Sequence, residues 1–244
     1  MKKEGLPSPK YRLFALDRQQ GDKSKNEFPY WWLCIRDFKI DENGLRSLLV
    51  HESKCETDQQ VIAALDLHEC KRWQGCADSG DDTTHVYLFC LQHGINAIKG
   101  GREEFYAHED GTKRIFSPEQ PLHKMIGRPS IYPYVEVNVG NGRTKTMPDP
   151  REPLFWLYSK PQIRERLHYL RNNTRYETPE DVSEEYQSHQ EAETRVESKN
   201  PSDNTTKYVW YQHKDRNDQF VNECYIAMMV DQAGMIVGES KKGK

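Results

Sequence analysis

The sequence lacks any long apolar segment. Only 35% of its 244 residues are hydrophobic, whereas 30% are charged. No apolar run approaches the roughly 20 residues that cross a bilayer, and the first residues lead into no apolar stretch, so we expect neither a membrane span nor a secretory signal. Aromatic residues still make up 11% of the chain, which is too many for a disordered protein. The composition therefore predicts a folded core with long hydrophilic loops.

An excess of charge of one sign is also absent. The chain has 35 Lys and Arg residues against 38 Asp and Glu residues, which gives a net charge of −3. Proteins that bind nucleic acid through bulk positive charge are usually more basic than this. Contacts to phosphate would therefore come from local patches, and an acidic metal site would itself lower the net charge.

Paired cysteines are missing as well. Without a CxxC motif or a secretory signal, the cysteines are predicted to be reduced, mostly buried thiols of a cytosolic protein. His68, Cys70 and Cys76 are close in sequence, but three ligands are too few for a closed zinc site, and Cys76 falls in a predicted strand. We therefore interpret these thiols as structural. The six cysteines are residues 34, 55, 70, 76, 90 and 224.

The predicted secondary structure of the first hundred residues changes once, from consecutive strands to alternating helices and strands. Residues 11–17, 30–38 and 45–51 are rich in β-forming residues and are separated by polar turns, which predicts an antiparallel meander. Residues 57–99 then predict helix, strand, helix and strand, with Thr57 as a helix cap and a strand that ends at Asp78. This order implies parallel strands with helices packed on the sheet.

The remaining chain is more irregular. The Asn-Gly pair at 141–142 and the alternating valines before it predict a β-hairpin over residues 134–146. Residues 177–199 are rich in Glu and predict a surface helix and a loop. The other predicted elements are a strand at 155–158, a helix that begins after Ser159, a strand at 207–212 and a closing helix at 216–230.

Two predicted strands end in an aspartate, Asp17 and Asp78. If the two strands pair in parallel, their carboxylates emerge side by side at one edge of the sheet. Like charges at that distance are costly unless a cation lies between them, and a pair of divalent ions is the usual solution in enzymes that cut phosphodiesters. Asp218, in the first turn of the last helix, is the candidate third ligand. Alternatively, each of these residues is an ordinary turn or cap residue.

One block of the sequence resembles a known family. Residues 77–90 read Ala-Asp-Ser-Gly-Asp-Asp-Thr-Thr-His-Val-Tyr-Leu-Phe-Cys, and Ala-Ile-Lys-Gly follows at 97–100. This block resembles the nuclease domain of phage large terminase subunits, specifically the lambda-like group. Residues 216–218 and 225–227 are similar to the last helix of that family, so the resemblance extends loosely from about residue 13 to residue 227.

The resemblance implies an α/β, RNase H-like (RuvC-like) fold. Its mixed sheet would contain an antiparallel meander plus parallel strands, flanked by helices, with the hairpin at 134–146 as an insertion. The nuclease domain would extend over residues 11–231, between a flexible lead at 1–10 and a flexible basic tail at 232–244. The expected activity is endonucleolytic cleavage of double-stranded DNA during viral genome packaging, with two Mg²⁺ or Mn²⁺ ions.

The resemblance also implies roles for particular residues. Asp17 and Asp218 would hold the ion that activates water, and Asp17 and Asp78 the ion that stabilises the leaving 3′-oxygen. Glu223 is the substitute for Asp218, although a helical wheel predicts that it points well away from the apolar face. Lys99 would contact the scissile phosphate. The hairpin would lie over the cleft and limit access of DNA, and the candidate DNA-binding residues on flanking loops are Arg102, Arg128, Arg143 and Lys145.

Large terminase subunits also contain an ATPase motor, and the sequence has no GxxxxGK[ST] phosphate loop. We therefore expect a nuclease domain alone, either a fragment or the product of a split gene. The implied partners are double-stranded DNA, a terminase ATPase domain, the small terminase subunit and the portal, in the host cytoplasm and without a membrane. The alternatives are a non-catalytic RNase H-like module that binds DNA or protein, and a nuclease similar to junction resolvases or transposases.

Overall fold

The computed structural model describes residues 6, 11–22, 24, 26–80, 82–100, 155–199, 206–233 and 235. Between residues 101 and 154 it describes only the backbone of short strands. Of the helices in these ranges, none combines the length and the apolar character that crossing a membrane requires.

The first three strands form the antiparallel meander that the sequence predicts. β1 (Tyr11–Gln19) pairs with β2 (Tyr30–Asp41), and β2 pairs with β3 (Gly44–Cys55). A tight turn joins β2 to β3, and Gly44 adopts a φ of 96°, which favours glycine. The prediction of a meander is confirmed.

The next four elements alternate between helix and strand, as predicted. They are α1 (Asp58–Leu67), β4 (Gly75–Asp78), α2 (Thr83–His93) and β5 (Asn96–Gly101). Thr57 caps α1, since its hydroxyl accepts a hydrogen bond of 3.2 Å from the backbone N–H of Gln60. Gly94, with a φ of 68°, ends α2. β4 lies in parallel between β1 and β5.

Three later strands also belong to the main sheet, and they are β8 (Leu122–Lys124), β11 (Phe155–Ser159) and β12 (Arg175–Glu177). The order of its eight strands is β12-β3-β2-β1-β4-β5-β11-β8. The central order β3-β2-β1-β4-β5, with an antiparallel meander on one side and parallel strands on the other, is that of an RNase H-like α/β fold. The predicted fold class is therefore confirmed.

Helices cover both faces of the sheet. α3 (Lys160–Asn173) and α5 (Asp218–Gln232) pack on the face to which Leu13 and Ala15 of β1 point. Phe14 and Leu16 point to the opposite face and pack with α1 and α2. This alternation follows from the two-residue period of a strand, and it assigns each side chain of β1 to one of two separate cores.

The segment after α3 differs from its prediction. The short helix α4 (Glu184–Gln190) is present, but residues expected to form a loop form β13 (Glu193–Lys199). β13 pairs with β14 (Thr206–Gln212) in an antiparallel ribbon outside the main sheet. The sequence of β13 is too polar to be recognised as a strand. A ribbon exposed to solvent needs few apolar residues, because its ladder of hydrogen bonds stabilises it.

Three further features bear on the predicted organisation. The hairpin is present as β9 (Tyr134–Asn138) and β10 (Thr144–Pro148), and β6 (Phe105–Ala107) pairs with β7 (Lys113–Ile115). Leu6, within the expected flexible lead, is buried, and its backbone N–H donates to Asp37. All six cysteines are free and buried, as predicted.

Candidate active site

Asp17 and Asp78 lie side by side. They are register partners on the parallel strands β1 and β4, which places their Cα atoms on neighbouring strands about 4.8 Å apart. Both side chains point to the face covered by α5, because Ala15 and Cys76, two residues earlier on each strand, belong to the core on that face. The predicted adjacency of the two carboxylates is thus confirmed; their role as metal ligands stays a prediction.

Hydrogen bonds hold both carboxylates. Gln19 donates to Asp17 through its side-chain amide, at 3.2 Å, and Tyr225 donates to Asp78 through its hydroxyl, at 2.9 Å. The hydroxyls of Tyr225 and Tyr158 are 2.8 Å apart. Because the proton of Tyr225 is directed to Asp78, Tyr158 is the donor of this second bond. Burial raises the pKa of both tyrosines well above the usual value, so both hydroxyls stay protonated as donors.

Gly100 makes room for this arrangement. It is the register partner of Tyr158 on β5. A Cβ atom at Gly100 would lie 2.5 Å from the Tyr158 hydroxyl oxygen and 2.7 Å from Cε of Lys160. A side chain at position 100 would therefore displace the Tyr158 hydroxyl from its place beside Tyr225.

Asp218 lines the same cavity as Asp17 and Asp78. The cavity has a volume of about 270 Å³. Asp218 is the first residue of α5 and is only 8% exposed, and its Oδ2 atom has no hydrogen-bond partner within the described part of the chain. Burial raises the pKa of Asp218, while His189, Arg216 and the nearby indole N–H of Trp32 oppose this shift. A carboxylate in this environment gains more than usual from a nearby cation.

Two basic side chains from α3 complete the lining, Lys160 and Arg164. Arg164 forms an ion pair with Glu193, with Nη2 2.6 Å from Oε1, and Asn217 also donates to Glu193. The charge of Arg164 is therefore neutralised within the protein. Lys160 is exposed, and it supplies a positive charge within reach of a ligand in the cavity.

The three carboxylates are ligands of the kind that a hard divalent cation prefers, although they lie too far apart to bind one without moving. Carboxylate oxygens are the preferred ligands of Mg²⁺ and Mn²⁺. Asp17 and Asp78 form a pair, and the unpartnered Oδ2 atom of Asp218 is the third donor. Within the described ranges, however, no three His, Cys, Asp or Glu side chains are grouped closely enough to hold a metal ion as they stand. A cation would therefore have to draw these carboxylates closer together.

Lys99 does not lie in the cavity, contrary to prediction. Asp78 pairs with Ile98, and Ile98 belongs to the core under α5. The neighbouring Lys99 points to the opposite face, as Ala97 does, because side chains alternate along a strand. The prediction that Lys99 lies beside Asp78 in the cavity is therefore wrong, and the lysine that lines the cavity is Lys160.

The prediction that Glu223 can replace Asp218 as a metal ligand is wrong. The helical wheel predicts that it points away from the apolar face, whereas it is completely buried between α5 and the sheet. It forms a buried ion pair with Arg36, with Oε1 2.9 Å from Nη2, and accepts hydrogen bonds from Tyr176 and Tyr186. Although burial raises the pKa of Glu223, Arg36 lowers it further, so the net shift is downward. Glu223 lies outside the cavity lining.

The candidate DNA-binding residues are not placed by the structure. Arg102, Arg128 and Arg143 lie outside the described residues, and Lys145 lies on β10, where only the backbone is described. Three residues of the site, Tyr158, Lys160 and Tyr225, were not predicted from the sequence. Tyr225 gave one usable signal, because it follows Asp218 by seven residues, which is two helical turns and hence the same helix face.

The fold and the paired carboxylates define an RNase H-like α/β protein with an acidic cavity at the end of its central parallel strands. Comparisons with protein-family models, with curated proteins and with solved structures give no match to this chain.

Proposed function

We propose that this protein is a metal-dependent endonuclease that hydrolyses phosphodiester bonds in double-stranded DNA. One observation carries the proposal: Asp17 and Asp78 are register partners and share a cavity with Asp218. Three carboxylates that line one small cavity repel each other, and bound divalent cations relieve that repulsion. Carboxylates at the ends of adjacent parallel strands are otherwise an unfavourable arrangement to maintain.

Each residue of the cavity has a definite role in this proposal. Asp17, Asp78 and Asp218 would hold two Mg²⁺ or Mn²⁺ ions. When bound, such ions lower the pKa of the attacking water and neutralise the charge that develops on the leaving oxygen. Tyr225 orients the Asp78 carboxylate through its hydrogen bond of 2.9 Å. Lys160 lies at the cavity with an exposed side chain, where its ammonium group can bind the phosphate that reacts.

The choice of double-stranded DNA rests on the resemblance of residues 77–90 and 97–100 to terminase nuclease domains. On this proposal the chain cuts viral DNA during genome packaging in the host cytoplasm. Its partners would be a terminase ATPase domain, the small terminase subunit and the portal. This assignment depends on the sequence resemblance alone, whereas the proposed chemistry depends on the cavity.

A second candidate function is a non-catalytic RNase H-like module that binds DNA or protein. The observation in its favour is that no three potential ligands in the described ranges are grouped closely enough to hold a metal ion as they stand. In this case the acidic cavity would have no cleavage activity. The two candidate functions therefore differ in whether the protein cuts DNA in the presence of a divalent metal ion.

The test is a nicking assay on supercoiled plasmid with the full chain in Mn²⁺, in Mg²⁺ and in EDTA. The proposal expects nicking that depends on the metal and that falls at least about 100-fold in Asp17→Asn and in Asp78→Asn. Asp66→Asn is the matched control, because Asp66 is 68% exposed and belongs to α1 on the opposite face of the sheet. Its activity should equal that of the wild type.

Three results would contradict the proposal. If the wild type gives no metal-dependent nicking, the non-catalytic module is favoured. Nicking that persists unchanged in both site variants would assign the activity to other residues or to a contaminant. A strong preference for branched over linear DNA would instead favour a nuclease similar to junction resolvases.

A further inference from the structure

A second cavity adjoins the acidic cavity, and Gln19 lines both. We call it the flanking cavity. Its volume is about 370 Å³, and it lies beside the loop that follows β1. Gln19 is therefore the boundary between the two cavities. Its lining residues are Gln19, Gln20, Gly21, Asp22, Tyr30 and Arg216.

Tyr30, which lines the flanking cavity, has an unusual polar group. The residue is only 2% exposed, and its hydroxyl has no hydrogen-bond partner within the described part of the chain. Buried hydroxyl groups in folded proteins almost always have a partner, because leaving one without a partner costs the full desolvation free energy of the group. Because Tyr30 lines the flanking cavity, a ligand bound there can supply the partner that this hydroxyl lacks.

Arg216 adds a positive charge beside this hydroxyl. Its guanidinium carbon lies 5.7 Å from the centre of the Tyr30 ring, and its side chain is 43% exposed. Arg216 also pairs with Glu27 at 3.2 Å, but Glu27 is 33% exposed. Ion pairs with this much exposure contribute little, so an anionic ligand can take the place of Glu27. Lys54 lies against the same ring, with Nζ 4.0 Å from its centre.

Contacts among the described residues of the loop after β1 hold the rim of the flanking cavity. Gly21 has a φ of 73°, and a Cβ atom there would lie 2.5 Å from the backbone oxygen of Glu27. The backbone oxygen of Asp22 accepts from the N–H of Glu27 at 2.9 Å. The Asp22 carboxylate accepts from both the backbone N–H and the hydroxyl of Ser24. The Asp22 carboxylate therefore has hydrogen-bond partners within the loop.

We propose that the flanking cavity binds a backbone phosphate of the nucleic acid, next to the phosphate that occupies the acidic cavity. The hydroxyl group of Tyr30 donates a hydrogen bond to a phosphate oxygen, and Arg216 neutralises the negative charge of the phosphate. Gln19 lies between the two cavities, so one strand can occupy both. The path of the strand rests on the proposed nuclease function, whereas the binding of phosphate depends only on the groups that line the flanking cavity.

The test measures binding of the full chain to a fluorescein-labelled DNA duplex in EDTA, where metal-dependent cleavage is blocked. Arg216→Gln should weaken binding about tenfold and should reduce the slope of log affinity against log salt by about one. Arg216→Lys should recover part of the loss. Arg72→Gln is the matched control, because Arg72 pairs with Asp66 next to the opposite end of β4, and its affinity should not change.

Tyr30→Phe separates binding from stability. Its hydroxyl has no partner within the described part of the chain, so its removal should weaken DNA binding about threefold or more while the free energy of unfolding stays the same or rises. If the variant instead loses stability and keeps its DNA affinity, the hydroxyl has a structural role and the proposal is overturned. Inhibition of DNA binding by millimolar inorganic phosphate that is lost in Arg216→Gln would support a phosphate site.

The two proposals can fail separately. If nicking requires Asp78 but Arg216→Gln changes neither the affinity for DNA nor KM, the flanking cavity is not a phosphate site and the nuclease proposal stands. If DNA binding depends on Arg216 and Tyr30 but no nicking is found, the phosphate site stands and the nuclease proposal fails. Equal losses of affinity in Arg216→Gln and Arg72→Gln would overturn the phosphate site, because the effect would then be one of overall charge.

Discussion

Tyr225 donates a hydrogen bond of 2.9 Å to Asp78, although the two residues lie 147 positions apart in the chain. The bond joins α5 to the end of β4. It occupies one oxygen of the Asp78 carboxylate and fixes the plane of the group. In metal sites, partners of this kind orient the ligands, and their loss typically lowers metal affinity about 10–100-fold.

Tyr225→Phe should therefore weaken Mn²⁺ binding by about tenfold and lower the free energy of unfolding by only about 1 kcal/mol. Isothermal titration with Mn²⁺ and urea unfolding measure the two quantities. Tyr158→Phe is the control, because Tyr158 reaches Asp78 only through Tyr225, and its effect on Mn²⁺ affinity should be smaller. A larger loss of Mn²⁺ affinity in Tyr158→Phe than in Tyr225→Phe would contradict this prediction.

The buried pair of Arg36 and Glu223 should dominate the stability of the face under α5. Both side chains are completely buried. Glu223→Gln leaves the charge of Arg36 without compensation, so it should lower the free energy of unfolding by about 3–5 kcal/mol in urea titrations. Glu177→Gln is the matched control, because the pair of Glu177 with Arg46 is over a third exposed and its loss should change the free energy of unfolding far less. Equal losses in the two variants would contradict this account.

Lys160 and Lys99 should behave differently when each is changed to Gln. Lys160 lines the acidic cavity, whereas Lys99 points to the other face of the sheet. Lys160→Gln should lower kcat for plasmid nicking by about 100-fold, as the loss of a group that stabilises transition-state charge does. Lys99→Gln should keep the wild-type rate. The reverse result would restore the role that the sequence suggests for Lys99.

Asp218→Asn should stabilise the protein at neutral pH. Burial raises the pKa of Asp218 in the folded state above its unfolded value. Between these two values the folded state binds more protons than the unfolded state, so wild-type stability falls as the pH rises through this range. Asparagine avoids this loss, and the variant should gain about 0.5–2 kcal/mol at pH 7, a range typical of single stabilising substitutions.

Urea unfolding of Asp218→Asn at a series of pH values tests this prediction. The difference from the wild type should vanish below the ordinary range for an aspartate and reach its full size above the raised pKa. Saturating Mn²⁺ should then stabilise the wild type more than the variant, because only the wild type retains all three carboxylates. A variant that is less stable than the wild type at pH 7 would contradict the prediction.

Much of the fold could be predicted because its signals are local. The period of two in β1 and β2, the cap at Thr57 and the glycine at 94 each identify an element without reference to the rest of the chain. The adjacency of Asp17 and Asp78 follows from the order of the strands, since each aspartate lies near the end of a buried strand. Local pattern and strand order were therefore enough to bring these two carboxylates together.

The remaining features of the site depend on contacts between distant segments. Glu223 is buried because Arg36 lies opposite it, and a helical wheel contains no information about that partner. The choice between Lys99 and Lys160 depends on the register of β5 against β4, which neither strand specifies alone. β13 is a strand because β14 pairs with it, and its own polar sequence resembles a loop.

Titration of the metal-free full chain with Mn²⁺, followed by electron paramagnetic resonance, tests the central claim most directly. The claim is that Asp17, Asp78 and Asp218 together hold divalent cations. The account predicts saturable binding to the wild type and to the Asp66→Asn control, with affinity reduced at least about tenfold in Asp17→Asn, Asp78→Asn and Asp218→Asn. Equal Mn²⁺ affinity in the wild type and in all three site variants would contradict it.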